Sequence, residues 1–419
     1  MPNRSRRRRR RPRPCPGNEE NLRRTLALIE AWSSRPGWRV DWPAVASRFE
    51  LTGGVAVSLD GFDKAAMTYA RGQMDPYCQL PGDGSADIVL QGRTHSGAPL
   101  LDVQKAAGDR LVTASDGHAL WLVDGELACS IPVEPSDRPI RLVVDSGFSL
   151  SRVFGELVRP ALQLAMLYHD AVAVHSTAVE IDGGGIVVAG WSESGKTETA
   201  LALMEAGASF LSDKWTVLDR RGRLSAFPIG VGVRRWVLPY LPRLRAGLPP
   251  TARAQLRVAG ATGALLGPVR RRRARGRVGR LVQVSVEQAV ALADRAGLSP
   301  SEVRRIYNQT DDPARAVPLR ALALLTTVPG GEVSVEAADP QWVAGRLARS
   351  AAFERRGFFA LQERARFAFP EKTGWTPEES IRQERARLEA GLASMNLLSV
   401  RAPFPTDPRR VAEAVAARL

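Results

Sequence analysis

The sequence predicts an α/β protein with a β-rich part ahead of its main domain, and three observations carry that prediction. From about residue 51 to 149, short apolar runs are separated by LDG, GDG, SDG and VDG turns. After about residue 150, strand-like and helix-like stretches alternate. Within that alternation the run IVVAG leads into a glycine-rich loop and then a helical pattern, GWSESGKTETALALMEAG.

A chain of 419 residues, 44% of them hydrophobic, can bury at least one large core, and its length suggests two or three domains. The net charge of +15 is unevenly spread. Eight arginines lie in the first 17 residues and seven in PVRRRRARGRVGR, residues 268–280, so these two runs account for the whole excess. Residues 1–17, with prolines between the arginines, cannot bury apolar surface and are expected to form a disordered tail. The run at 268–280 reads as a mobile surface loop, with an arm for a polyanion or an acidic partner as the other reading. No aromatic residue interleaves either run, which argues against a nucleic-acid partner that stacks its bases.

Cys15, Cys78 and Cys129 form no C-x-x-C pair and suit a reducing compartment. The most apolar helical stretch, PALQLAMLYHDAVAVHS, is interrupted by His169 and Asp170. The arginine-rich start lacks the apolar segment of a secretion signal. A cytoplasmic protein with no membrane association is expected; homo-oligomer formation is left open.

In chain order, residues 18–50 read as helical. Leu22, Leu26 and Ile29 share one face, and DWPAVASRF has an Asp cap and Pro43 in its first turn. Residues 51–149 read as antiparallel sheet, with ALWLVDGELACSIPV as its clearest hairpin, so that 18–149 make an accessory domain. The main domain, 150–419, opens on a long buried helix in SLSRVFGELVRPALQLAMLYHD. Strands are then expected in AVAVHSTAVEI, IVVAG, ASFLS, WTVLD, LRALALLTTV and GEVSVEAA. The helical stretches DPQWVAGRLARSAAFERRGFFALQERA, PEESIRQERARLEAGLASM and DPRRVAEAVAARL close the chain, and no internal repeat is found.

The loop from Gly190 to Thr197 fits G-x-x-x-x-G-K-[ST]. In that pattern glycines let backbone N–H groups converge on phosphate oxygens, the lysine reaches the terminal phosphates, and the hydroxyl of the last residue ligates magnesium. The helix starting at Lys196 adds the positive end of its dipole. Lysine occurs five times in the chain against 54 arginines, so roughly 0.005 accidental matches are expected from composition. In so arginine-rich a chain, a lysine at Lys196 reflects the need for a compact ammonium on a flexible stem. Lys214 is a lysine either for a similar reason or as an exposed turn residue.

The stretch HSTAVEIDGGGIVVAGWSESGKTETALALMEAGASFLSD resembles the core of HPr kinase/phosphorylase and the wider family of HPr-kinase-related proteins. On that resemblance His175 matches a histidine on the strand before the loop, and Gly190 to Thr197 match the phosphate loop. Glu198 matches the acid that follows, and Asp213 the first of two adjacent aspartates. The match is tight over about 40 residues and looser over 150–235, and PFPTDPRRVAEAV is similar to the family's closing helix.

The resemblance implies a P-loop kinase domain like that of HPr kinase and phosphoenolpyruvate carboxykinase. It further implies ATP and Mg2+ as cofactors, and a serine hydroxyl of a small protein or peptide as phosphate acceptor. Gly190, Ser192, Glu193, Ser194, Gly195, Lys196, Thr197 and Glu198 would then hold the nucleotide, and Thr197 and Asp213 the metal. Asp213, His175 and Lys196 are the catalytic candidates: Asp213 as proton acceptor, His175 orienting that carboxylate or the phosphate, or a satisfied core histidine. Two departures stand out. Lys214 replaces the second aspartate, and no Glu-Ile-Arg-Gly-x-Gly segment follows, ARGRVGR being at most a faint echo. Three outcomes follow from the first: Asp213 suffices, another acid such as Asp219 compensates, or the chain binds nucleotide without catalysis. The second turns the expectation from HPr towards small peptides.

Overall fold

The computed structural model describes residues 47–80, 85–93, 102–104, 112–124, 127–132, 139–258, 294–371 and 375–419. The expected tail at 1–17, the helical start at 18–46 and the basic loop at 268–280 lie outside these residues.

The first sheet is built from β1 (Ser47–Glu50), β2 (Ala56–Asp60), β3 (Ile88–Arg93), β4 (Asp102–Gln104), β5 (Val112–Ser115), β6 (Leu120–Asp124), β7 (Leu127–Ser130) and β8 (Ile140–Asp145). Their order is β1-β2-β3-β8-β7-β6-β5-β4. Residues 47–50, expected at the end of a helix, are instead a strand. Ser47 and Phe49 are buried on one side while the strand pairs antiparallel with β2. The expected hairpin is β6–β7. The sheet is not purely antiparallel, because β2, β3 and β8 run parallel. A parallel pair needs a crossover, supplied between β2 and β3 by helix α1 (Lys64–Gly72), which Asp63 caps by accepting from the Ala66 N–H. At nine residues that helix was too short to stand out among the turns.

The long helix expected after residue 150 is present as α2, which runs through Leu150–Arg152, a π-turned Val153–Val158, Arg159–Ala165 and a closing 3₁₀ turn at Met166–His169. The wide turn comes just before Pro160, whose ring nitrogen has no hydrogen to return to an earlier carbonyl. Phe154, Leu157, Ala161 and Leu162 of α2 join one continuous apolar core that takes in Leu59 and Leu90 of the first sheet and Val187, Leu322 and Leu347 of the second half.

The second half begins with β9 (Val172–Val174), β10 (Ser176–Ile181), β11 (Gly184–Gly190), α3 (Lys196–Glu205), β12 (Ser209–Ser212), β13 (Thr216–Leu218) and β14 (Arg223–Ala226). It continues with β15 (Val231–Arg234), α4 (Pro242–Gly247), β16 (Arg295–Leu298), α5 (Pro300–Ile306), β17 (Val317–Val328) and β18 (Ser334–Ala337). It closes with α6 (Pro340–Glu354), α7 (Arg356–Ala368), α8 (Pro377–Leu392), β19 (Asn396–Pro403) and α9 (Pro408–Ala416). Nine strands form one mixed sheet in the order β12-β10-β11-β17-β14-β13-β9, with β19 beside β17 and β18 beside β19. At its centre β11, β17 and β19 run parallel. β17 serves two neighbours along one edge, β14 at Val317 and Pro318 and β19 from Ala321 to Val328. β15 and β16 pair separately.

Three expectations change here. AVAVHSTAVEI is two strands: β9 pairs with β13, whereas β10 pairs with β11 and β12, and His175 lies at the break. The helical stretch after Asp339 is two helices broken at Arg355, whose side chain turns inward. Asn396–Pro403, between two of the helical stretches expected to close the chain, is a strand with Leu397, Leu398, Val400 and Ala402 buried. The architecture is mixed α/β, and among the described residues no helix is long and apolar enough to cross a membrane.

Candidate phosphate-loop site

Strand β11 ends at Gly190, and helix α3 starts at Lys196, so the G-x-x-x-x-G-K-T segment has the strand–loop–helix setting its chemistry needs. The turn that precedes it, Asp182-Gly183 with both φ values positive, closes a two-residue hairpin between β10 and β11. At Gly190 a Cβ would meet the Ser194 hydroxyl at 2.5 Å and the Leu325 carbonyl at 2.8 Å, and φ is +151°, so only glycine fits. Gly195, at φ +90°, lies against the Phe404 ring, where a Cβ would sit at 3.2 Å. The loop is thus clamped between β17 and the segment that follows β19.

Lys196 is buried, and its ammonium donates to the carbonyls of Gly190 at 3.0 Å and Trp191 at 2.7 Å. Burial lowers its pKa to about 8, against the opposing charges of Asp213, Glu354 and Glu198. Asp213 follows β12 and is buried beside the start of α3. Its Oδ1 accepts hydrogen bonds from Thr177 Oγ1 at 2.6 Å and Thr197 Oγ1 at 2.7 Å. Thr197 and Asp213, the expected metal pair, are therefore in contact. Both present hard oxygen donors of the kind Mg2+ takes alongside phosphate and water oxygens. Among the described residues no group of three His, Cys, Asp or Glu side chains could hold a metal by itself.

Ser192 and Glu193 are exposed on the loop and Ser194 is buried; the Ser194 hydroxyl has no partner among the described residues. Glu193 is held by Arg234 at 2.7 Å, and the same guanidinium lies 3.8 Å from Glu198. Burial raises the Glu198 pKa and Arg234 opposes the rise. Arg234 stands opposite Arg295 across the β15–β16 pair, and the Arg295 charge acts on both Glu198 and Lys214. Lys196, Lys214, Arg234 and Arg295 gather here with Glu193, Glu198, Asp213 and Glu354, so the corner is densely charged with the two signs balanced.

His175 does not reach Asp213 by hydrogen bond. Its Nδ1 pairs with Ser350 Oγ on α6 at 2.9 Å, and its ring lies 5.2 Å from the Trp215 ring. Burial, with Lys196 and Lys214 nearby, drives its pKa down to about 2, so the ring is neutral. Asp219 stands apart from the site as well. It closes the turn between β13 and β14, accepting from the Arg221 and Arg223 backbones and pairing with the Arg223 side chain.

Lys214 has φ +62° in a three-residue turn closed by the Trp215 N–H on the Asp213 carbonyl at 2.6 Å. Such a conformation costs a residue with a side chain about 1–3 kcal/mol and marks a position where backbone strain has been kept. The Lys214 side chain is exposed, and surrounding protein lowers its pKa against the charge of Glu354.

Helix α6 supplies residues that sequence reasoning missed. Ser350 holds His175, Phe353 stacks on Trp191 of the loop at 4.5 Å, and Glu354 faces both lysines electrostatically. Beneath Trp215, Arg355 pairs with Glu384 of α8 at 2.6 Å, both side chains about 1% exposed. The free thiols Cys78 and Cys129 belong to the first half of the chain and take no part. Comparison of the chain with protein-family models and with curated proteins returns no match.

Proposed function

We propose that the chain is an ATP- and magnesium-dependent kinase, with a P-loop domain of the HPr kinase and phosphoenolpyruvate carboxykinase kind. It transfers the γ-phosphoryl group to a hydroxyl, in our reading a serine of a small protein, peptide or peptide-like molecule. The observation that carries the proposal is the Thr197–Asp213 hydrogen bond, which joins the last residue of the loop motif to an acid at a neighbouring strand end.

Phosphoryl transfer is mainly positioning and charge neutralisation. The loop amides and the start of α3 would hold the phosphates, with Glu193, Ser192 and Ser194 shaping the loop and Glu198 anchoring Arg234. Lys196, tethered to two carbonyls by a flexible stem, can turn its ammonium onto the terminal phosphate. Mg2+, when bound, would neutralise phosphate oxygens beside Thr197 and Asp213. In the transfer, the acceptor oxygen bonds to the γ-phosphorus, the bond to the β–γ bridging oxygen breaks, and the acceptor proton passes to a carboxylate. With Oδ1 committed to two hydroxyls, Asp213 has its second oxygen for that proton or for the cation. His175 acts through Ser350 and Trp215 and is a positioning residue for the turn that carries Asp213.

A second reading is favoured by one observation. Lys214 places a positive charge next to Asp213, where a second acid is expected, which suits a nucleotide-binding regulator without phosphoryl transfer. Transfer from γ-labelled ATP to a pool of small proteins and serine peptides, with Lys196→Ala as control, separates the two. Label on serine with the intact chain alone supports the kinase. ATP binding without label in any pool supports the regulator.

A further inference from the structure

Helix α6 carries an exposed stripe of which only Phe353 belongs to the site described so far. Trp342, Arg346, Arg349 and Phe353 follow one another at spacings of four, three and four residues, so they lie along one face. All four are exposed. Trp342 is 41% exposed, Phe353 40% and Trp191 50%, and these are three of the six large hydrophobic side chains exposed among the described residues. The gathering of exposed apolar rings on one line marks a surface that meets something.

The rings and cations are already paired in a definite pattern. The Arg346 guanidinium lies 4.8 Å from the Trp342 ring centre, and that of Arg356, just past the helix end, 4.1 Å from Phe353. Among the described residues no carboxylate is within ion-pair distance of Arg346, Arg349 or Arg356, whereas Arg366, Arg382 and Arg385 on the neighbouring helices each pair with a glutamate of their own helix. From Trp342 to Phe353 the stripe runs roughly 16 Å, the reach of about five extended residues. It ends at the phosphate loop, where Phe353 meets Trp191 and the next residue, Glu354, faces Lys196 and Lys214.

We infer that this stripe is the docking surface for the phosphate acceptor, and that the acceptor is an acidic peptide segment. Resting on the kinase reading above, the inference names its substrate class. Three arginines without carboxylate partners call for acidic side chains, and the interleaved rings cover the aliphatic and backbone portions between them. A segment lying along α6 delivers a hydroxyl at its Phe353 end to the space between Lys196, Lys214 and Glu354.

The test uses the full chain and a fluorescein-labelled 15-residue peptide of alternating glutamate and serine, read by anisotropy without ATP. ATP affinity is measured in parallel on the same preparations. The intact chain is expected to bind the peptide in a salt-sensitive way, and Arg346→Glu/Arg349→Glu to weaken it at least tenfold with ATP affinity unchanged. Trp342→Ala, which leaves every charge in place, should weaken it several-fold. Equal peptide affinity for the intact chain and the charge-reversed variant overturns the proposal. So does a single-stranded oligonucleotide of the same charge binding more tightly than the peptide with the same dependence on Arg346 and Arg349, since the surface then serves a nucleic acid. Absence of phosphoryl transfer with peptide docking intact overturns the kinase reading and leaves the docking surface standing.

Discussion

The Arg355–Glu384 pair underlies the turn that carries Asp213 and Lys214, and its removal is expected to act on stability and activity together. Both side chains are about 1% exposed, their contact is 2.6 Å, and the Arg355 guanidinium lies 5.9 Å from the Trp215 ring. Breaking a buried pair by removing one partner typically costs about 3–5 kcal/mol, because it strands the other charge. The two halves are not equivalent. Arg355 cannot shed its proton, so Glu384→Leu leaves a fixed buried charge at every working pH. Glu384 can take up a proton, and burial already raises its pKa, with Arg355 opposing the rise. In Arg355→Met that opposition is gone and the folded-state pKa climbs further above the unfolded value of about 4.3. A carboxyl with a raised folded pKa is most stabilising below the unfolded value and loses that advantage as pH rises towards the folded one. Arg355→Met should therefore be destabilised by about 3 kcal/mol at pH 7.5 and recover most of it near pH 4.5, while Glu384→Leu stays low throughout. The double variant Arg355→Met/Glu384→Leu should lie closer to the native chain than either single one. Urea unfolding followed by tryptophan fluorescence at the two pH values measures this. Equal pH profiles for the two single variants would refute the reasoning.

Four further outcomes are expected. Asp213→Asn, which keeps an acceptor for Thr177 and Thr197, should lower phosphoryl transfer by about 10²-fold or more with ATP affinity within a few-fold of native; full activity would remove Asp213 from the reaction. Lys214→Gly should relieve the positive φ and raise stability by about 1 kcal/mol; a fall in transfer despite that gain would assign Lys214 to the site, and unchanged transfer to the turn alone. His175, with a folded pKa far below its unfolded value of about 6.5, keeps its full contribution above pH 6.5. Stability should fall below it with a slope approaching 1.4 kcal/mol per pH unit, and His175→Gln should flatten that slope. Gly195→Ala meets both φ +90° and the Phe404 ring, so it should lower the urea midpoint by the equivalent of about 1–2 kcal/mol and weaken ATP binding.

The loop was legible in the sequence because everything that makes it, from IVVAG to the helix after Lys196, is local. The strand–loop–helix signal lies in some twenty consecutive residues. Asp213 and the αL lysine beside it were legible only as a position that departs from a resemblance. What α6 contributes could not be read. Ser350, Phe353 and Glu354 sit in a helix whose apolar spacing explains it fully, and contact with the loop depends on how that helix packs. Arg355 is one arginine among 54, and nothing in its neighbours distinguishes a buried guanidinium from a solvated one. Residues 396–403 were lost for a related reason: the short strand stands between two strong helical patterns, and its partner β17 is some seventy residues away. His175 was placed on a strand because an apolar run spans it, whereas the run feeds two strands with different neighbours.

The parallel centre of the second sheet also sets an order in time. β11 carries the loop, yet its flanking strand β17 ends at Val328, and β19, whose continuation presses Phe404 against Gly195, begins at Asn396. A ribosome adding roughly 5–20 residues per second has the loop exposed for tens of seconds before its clamp exists. Until β17 is made, β11 has only its hairpin partner β10 and an unpaired parallel edge, a kind of contact that is slow to close. The phosphate loop is among the earlier parts of this domain to be made and among the last to be finished.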